Sequence, residues 1–155
     1  MDTLAPRLPE ARFLDLFAGA GGIGLEAVSR GAAHATFVER DARAVAALRE
    51  NVEALGLRAQ ARVIRGDVLR ELSALYGAGE RFDLVFLDPP YEAGLVETTL
   101  ETLGGGGLLM AEGLVVAQHF TKRAPAATVG ALAAFRTRRF GETTLTFYRA
   151  GTLSP

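Results

Sequence analysis

Phe13-Leu14-Asp15-Leu16-Phe17-Ala18-Gly19-Ala20-Gly21-Gly22-Ile23-Gly24 is the stretch that decides the fold of this chain. Phe13 to Phe17 is a short apolar strand interrupted by one acid. Gly22 to Arg30 then carries Ile23, Leu25, Ala27 and Val28 at helical spacing, and Gly31 closes that helix. Between them, Gly19, Gly21 and Gly24 spell G-x-G-x-x-G. Glycines permit a tight turn and let the backbone approach a ligand with no Cβ in the way. The same pattern also suits a helix that only needs close packing on a sheet; its place between a strand and a helix favours the ligand.

Outward from this turn, strand-like and helical runs alternate, the mark of a doubly wound α/β sheet. Ala35 to Val38, Ala61 to Ile64, Phe82 to Leu87 and Gly113 to Gln118 read as further strands. Asp41 caps a helix running to about Leu55, with Val45, Leu48, Val52 and Leu55 on its buried face and Gly56 at its end. Val68 to Tyr76 and Leu95 to Leu103 read as the remaining helices, followed by the glycine run Gly104 to Gly107. Phe135 to Phe140 and Thr143 to Arg149 form a hairpin across Gly141-Glu142. The expectation is a Rossmann-like, mostly parallel sheet of seven strands with helices on both faces and an antiparallel C-terminal hairpin. It forms one domain over 1–155, in which 1–11 is a short N-terminal extension.

Composition narrows the function. The chain has 155 residues, 49% hydrophobic and 23% charged, as in an ordinary globular domain. It has no cysteine, which excludes disulfides, thiolate zinc and cysteine nucleophiles; its two histidines, His34 and His119, lie far apart, and no metal site is expected. No apolar run has membrane-spanning length and Met1 to Arg12 lacks a signal-peptide pattern, so a cytoplasmic protein is expected. A net charge of −1 counts against whole-surface affinity for nucleic acid. Lys122-Arg123 and the cluster Arg136, Arg138, Arg139 and Arg149 are local exceptions, read first as a solvated strand edge.

The chemistry gathers where strands end. After Phe82 to Leu87 comes Asp88-Pro89-Pro90-Tyr91. Two prolines cannot continue a ladder, so the chain leaves the sheet at the edge where open α/β sheets bind ligands. A carboxylate, carbonyls without competing N–H groups and an aromatic ring can together grip a planar molecule bearing an amino group. A Pro-Pro turn with a capping Asp and a packing Tyr is the plainer alternative. Glu39 ends the second strand, where an acid can accept from both hydroxyls of a ribose, or simply face solvent. Asp41 is best read as a helix N-cap, and Asp67 as facing a base amino group, capping the next helix, or both. In this topology all of these strand ends share one edge, so the groups converge.

With these residues together, the chain resembles the class I S-adenosylmethionine-dependent methyltransferases. More narrowly, it resembles the bacterial 16S ribosomal RNA guanine-N2 methyltransferase family. The residues carrying the likeness are Phe13 to Gly21, Gly24 to Ala27, Ser29 to Ala32, Phe37 to Asp41, Asn51-Val52, Gly66-Asp67, Phe86 to Tyr91 and Tyr148. The resemblance implies S-adenosylmethionine as cofactor, with Asp15, Phe17, Ala18, Gly19 and Gly21 around its methionine part. It implies Glu39 and Arg40 at the ribose, Asp67 and Val68 at the adenine, and Asp88 as a further cofactor-binding residue. Asp88, Pro89, Pro90 and Tyr91 would hold the target guanine, flipped from its stack. The implied partner is 16S rRNA or the small ribosomal subunit, with no membrane, and a monomer is expected. Family members carry a basic segment before the first strand, whereas Met1 to Ala11 holds only Arg7; cofactor binding depends on that segment less than RNA methylation does. The same tetrapeptide resembles adenine-N6 and protein-glutamine methyltransferases, which stay open as alternatives. A cofactor-binding remnant without activity stays open as well.

Overall fold

A computed structural model describes residues 3–90 and 94–150. The element order is β1 (Arg12–Leu16), α1 (Gly22–Ser29), β2 (His34–Glu39), α2 (Ala42–Ala54), β3 (Ala61–Arg65), α3 (Val68–Gly77), β4 (Phe82–Leu87), α4 (Leu95–Gly104), β5 (Leu109–Phe120), β6 (Thr128–Val129), β7 (Leu132–Phe140) and β8 (Thr143–Ala150). One sheet holds them in the order β3-β2-β1-β4-β5-β8-β7-β6. β1 to β5 run parallel, and β8 enters antiparallel between β5 and β7. The chain proceeds from β1 to β2 on one side, then returns from β3 to place β4 on the other. The β1/β4 boundary is therefore the switch point at which such sheets open a crevice.

The inner strands β1 and β4 are nearly continuous in apolar residues because both faces are covered, whereas the edge strand β3 carries Arg62 and Arg65 and has no buried residue. Phe13, Phe37, Leu84, Phe86 and Val116 bury on the face of α1 and α2. Leu14, Leu16, Val38, Val85, Leu87 and Val115 bury on the face of α3 and α4. The helix ends follow local chemistry. Asp41 Oδ2 accepts from Ala44 N at 2.9 Å and starts α2. α1 closes with Gly31 at φ +115°, its N–H donating to Val28 O while Ala32 N donates to Ala27 O, a paired C-terminal lock.

The sheet departs from expectation in three places. It has eight strands rather than seven, because Thr128–Val129 pairs with Leu132 and Ala133; two residues are too short to leave a sequence pattern. β5 starts at Leu109, ahead of an irregularity in its pairing with β4, and runs on to Phe120, so His119 lies inside the strand rather than after it. Leu55 is the C-cap of α2 and 56% exposed, because the helix ends before its face turns back to the core. The glycine run after α4 is a packing device: a Cβ on Gly104 would lie 2.3 Å from Val129 O, and one on Gly107 would lie 2.1 Å from the Tyr76 ring.

Among the described residues no helix is long and apolar enough to cross a membrane.

Candidate active site at the carboxyl edge of the sheet

The glycine turn is braced from three sides. Gly19 N donates to Glu39 Oε1 at 2.8 Å, Gly24 N donates to Asp15 Oδ2 at 3.0 Å, and Asn51 Nδ2 donates to Ala20 O at 3.0 Å. The three glycines do different work. A Cβ on Gly21 (φ +89°) would lie 2.1 Å from Leu48 Cδ1, and one on Gly24 would lie 2.4 Å from the Phe37 ring, so these two let helix and sheet close together. Gly19 (φ +58°) has nothing within 4 Å in that direction and faces open space. Close packing of helix on sheet is therefore what Gly21 and Gly24 provide, while Gly19 leaves its side of the turn open. Gly24→Ala is expected to destabilise the fold by about 1–3 kcal/mol through overpacking. Urea titration checks this; an unchanged midpoint would mean that Phe37 yields freely.

Phe17, directly before this turn, has φ +61°, a conformation that costs a residue with a side chain about 1–3 kcal/mol and gathers at functional sites. It lines a cavity of ≈ 790 Å³ together with Glu39, Arg40, Asp67, Val68, Asp88 and Pro90. Arg65, Ala42 and Leu95 complete its wall and carried no signal in the sequence. Glu39 is held at both oxygens, Oε1 by Gly19 N and Oε2 by Asp41 N at 2.8 Å, so its carboxylate is fixed rather than free-swinging. Its unused lone pairs remain able to accept from hydroxyls. Asp67 Oδ2 accepts from Arg70 N at 3.1 Å and so caps α3, while the residue also faces the cavity. Both of its anticipated roles remain compatible.

Asp15 differs from the others. It is 2% exposed beneath the turn. Burial pushes its pKa up to about 8, against the lowering effect of the Gly24 N–H, with the negative charges of Asp88 and Glu39 adding to the rise. A carboxyl whose folded pKa lies above the ordinary 3.8 holds a proton that the unfolded chain has released, so its contribution to stability is lost as pH rises from about 4 through about 8. The wild type is therefore expected to lose more Tm between pH 5 and pH 8 than Asp15→Asn does. Parallel Tm curves would place the effect elsewhere.

Asp88 follows β4, with its N–H 3.5 Å from Leu16 O across the switch point. It is open at the surface, yet desolvation by neighbouring atoms raises its pKa above the ordinary aspartate value. Pro89 is buried and Pro90 exposed. Asp88, Pro89 and Pro90 also line a smaller cavity of ≈ 70 Å³ with Gly94, Val96, Glu97, Gln118, His119, Phe120, Arg123 and Thr143. Asp88 thus stands on the wall between two hollows, where a group held in one can meet a group held in the other. Tyr91 lies outside the described residues. His119 is structural: Nδ1 pairs with Phe120 O at 2.7 Å and Nε2 with Thr146 Oγ1 at 2.6 Å, so both ring nitrogens are engaged. Among the described residues no group of His, Asp and Glu side chains is arranged to hold a metal ion.

Comparison with known proteins agrees with this layout. The family model described as Conserved hypothetical protein 95 matches residues 1–149. The chain is 36% identical over 146 residues to the putative rRNA methyltransferase YlbH of Bacillus subtilis, covering 94% of this chain and 79% of that one. It is 40% identical over 112 residues to ribosomal RNA small subunit methyltransferase D of Escherichia coli; that alignment covers 72% of this chain and 54%, about half, of the relative. Among solved structures, the putative methyltransferase yhhF from Escherichia coli superposes with a TM-score of 0.86 at 33% identity, over 97% of this chain and 83% of that one.

Proposed function

Since the chain belongs to the Conserved hypothetical protein 95 family, we propose that it is an S-adenosylmethionine-dependent methyltransferase acting on the exocyclic N2 of a guanine in small-subunit rRNA. The observation that carries this reading is the position of Asp88 on the wall between two cavities at the switch point. The ≈ 790 Å³ cavity fits the nucleoside part of the cofactor, since Glu39 and Asp67 line it with Phe17 from the glycine turn. Glu39 and Arg40 serve the ribose, Asp67 and Val68 the adenine, and the Asp15 to Gly21 turn the methionine part. Asp15, closed under the turn, serves by setting the backbone through Gly24 rather than by reaching the ligand itself.

The cofactor supplies an electrophilic sulfonium methyl. The chain's part is alignment, since holding nitrogen, methyl and sulfur in line removes much of the entropic barrier. Asp88 and the Pro89 carbonyl accept from the exocyclic amine, and Tyr91 packs on the base. The carboxylate of Asp88 would orient the amine, favour the positive charge that develops on nitrogen as the methyl passes to it from sulfur, and take up the proton that the methylated nitrogen releases. The partner is 16S rRNA or the assembled small subunit, met in the cytoplasm by a monomer.

Calorimetric titration with S-adenosylhomocysteine, with NAD as the comparison ligand, tests the cofactor reading. Micromolar binding of the first alone is expected. Binding of NAD instead would make the glycine turn a dinucleotide site and end this proposal.

A further inference from the structure

The small cavity beside Asp88 continues into a second hollow of ≈ 500 Å³ through Phe120 and Arg123, which line both. This second hollow is walled by Thr121, Lys122, Arg123, Arg139, Gly141 and Glu142. Three cations therefore face one acid, in a protein whose net charge is −1. Resting on the methyltransferase reading above, we propose that Lys122, Arg123 and Arg139 form a phosphate subsite for the RNA backbone next to the base held at Asp88.

The geometry favours this over a merely solvated edge. β6 pairs with only the first two residues of β7, so Arg136, Arg138 and Arg139 do lie along an open edge. Arg138 is engaged, donating to Thr3 Oγ1 at 2.7 Å and lying over the Phe140 ring, and Arg149 lies over the Phe135 ring. Lys122 and Arg123, by contrast, make no side-chain hydrogen bond or ion pair among the described residues. Their turn is nevertheless firmly held. Thr121 N donates to Glu142 O at 2.7 Å, Thr121 Oγ1 donates to Gly141 O at 2.9 Å, and Arg139 Nε donates to Gly141 O at 3.0 Å. Further along the same segment, Tyr148 OH donates to Ala126 O at 2.9 Å. Unpaired cations on a braced turn are preorganised for an anion, and a nucleotide brings its phosphate at a fixed distance from its base. An acidic peptide would satisfy the charge but not the continuity with a site that grips a base.

The test compares full-length wild type with Lys122→Ala/Arg123→Ala in methyl transfer to unmodified small subunits. The double variant is expected to raise KM for RNA by about tenfold at 0.15 M salt and to flatten the salt dependence of log KM by about 1–2 units. Its affinity for S-adenosylhomocysteine should match wild type, and its kcat at saturating RNA should fall by less than KM rises. Lys122→Arg/Arg123→Lys should restore KM, since charge rather than shape is required. Arg30→Ala/Arg58→Ala, which removes two charges next to the starts of β2 and β3, should leave KM and slope unchanged. A wild-type KM and slope in the first variant, or an equal loss in the Arg30/Arg58 control, would overturn the subsite while leaving the methyltransferase reading intact. Failure of the wild type itself to methylate RNA would overturn that reading and the subsite with it.

Discussion

Replacing Asp88 by alanine is expected to lower methyl transfer by about 10²–10⁴-fold while leaving cofactor affinity within a few-fold. The reason is positional. Asp88 lines both cavities, but the large one is walled mainly by other residues, Glu39 and Asp67 among them. On the proposed reading, its loss removes the acceptor for the amine and leaves most of the large cavity's wall in place. Asp88→Asn separates charge from shape: it keeps one acceptor oxygen and loses the negative charge. Because desolvation holds the Asp88 pKa above the ordinary aspartate value, wild-type activity should fall as pH drops through that raised pKa, where the carboxyl takes up a proton and stops accepting. That acid limb should disappear in the asparagine variant. Equal loss of cofactor affinity and turnover in Asp88→Ala would instead make the residue part of the cofactor site or the fold.

Glu39→Ala is expected to do the reverse, weakening cofactor binding by about 1–3 kcal/mol, roughly 5- to 150-fold in Kd. Two effects act in the same direction. On the proposed reading the ribose loses its charge-assisted acceptor, and the Gly19 and Asp41 N–H groups lose the acceptor that fixes the turn against the end of β2. Glu39→Gln keeps one backbone acceptor and should fall between wild type and alanine. An unchanged dissociation constant for S-adenosylhomocysteine, measured by calorimetry, would remove Glu39 from the site.

Much of this site is legible in the sequence because its parts are local. The turn needs glycines at Gly19, Gly21 and Gly24, and two prolines after a buried strand force an exit at Asp88. Once the strands are known to be parallel, Glu39, Asp67 and Asp88 must share an edge. What was missed depends on tertiary placement. Asn51 belongs to the resemblance, but that it holds the turn from α2 is visible only in the fold, and Arg65 and Leu95 enter the cavity wall from flanking elements with no periodic or motif signal to mark them. β6 is too short to read. The burial of Asp15, and hence its displaced pKa, follows from a lid of backbone and packed rings that no local pattern announces. Lys122 and Arg123 look like surface charge until the hairpin brings Arg139 beside them.

The most direct test is transfer of a radiolabelled methyl group from S-adenosylmethionine to unmodified small ribosomal subunits, followed by digestion of the 16S rRNA to nucleosides. Label is expected in N2-methylguanosine with wild type and almost none with Asp88→Ala. Label in N6-methyladenosine or in protein, or none with a wild type that binds S-adenosylhomocysteine, would contradict it.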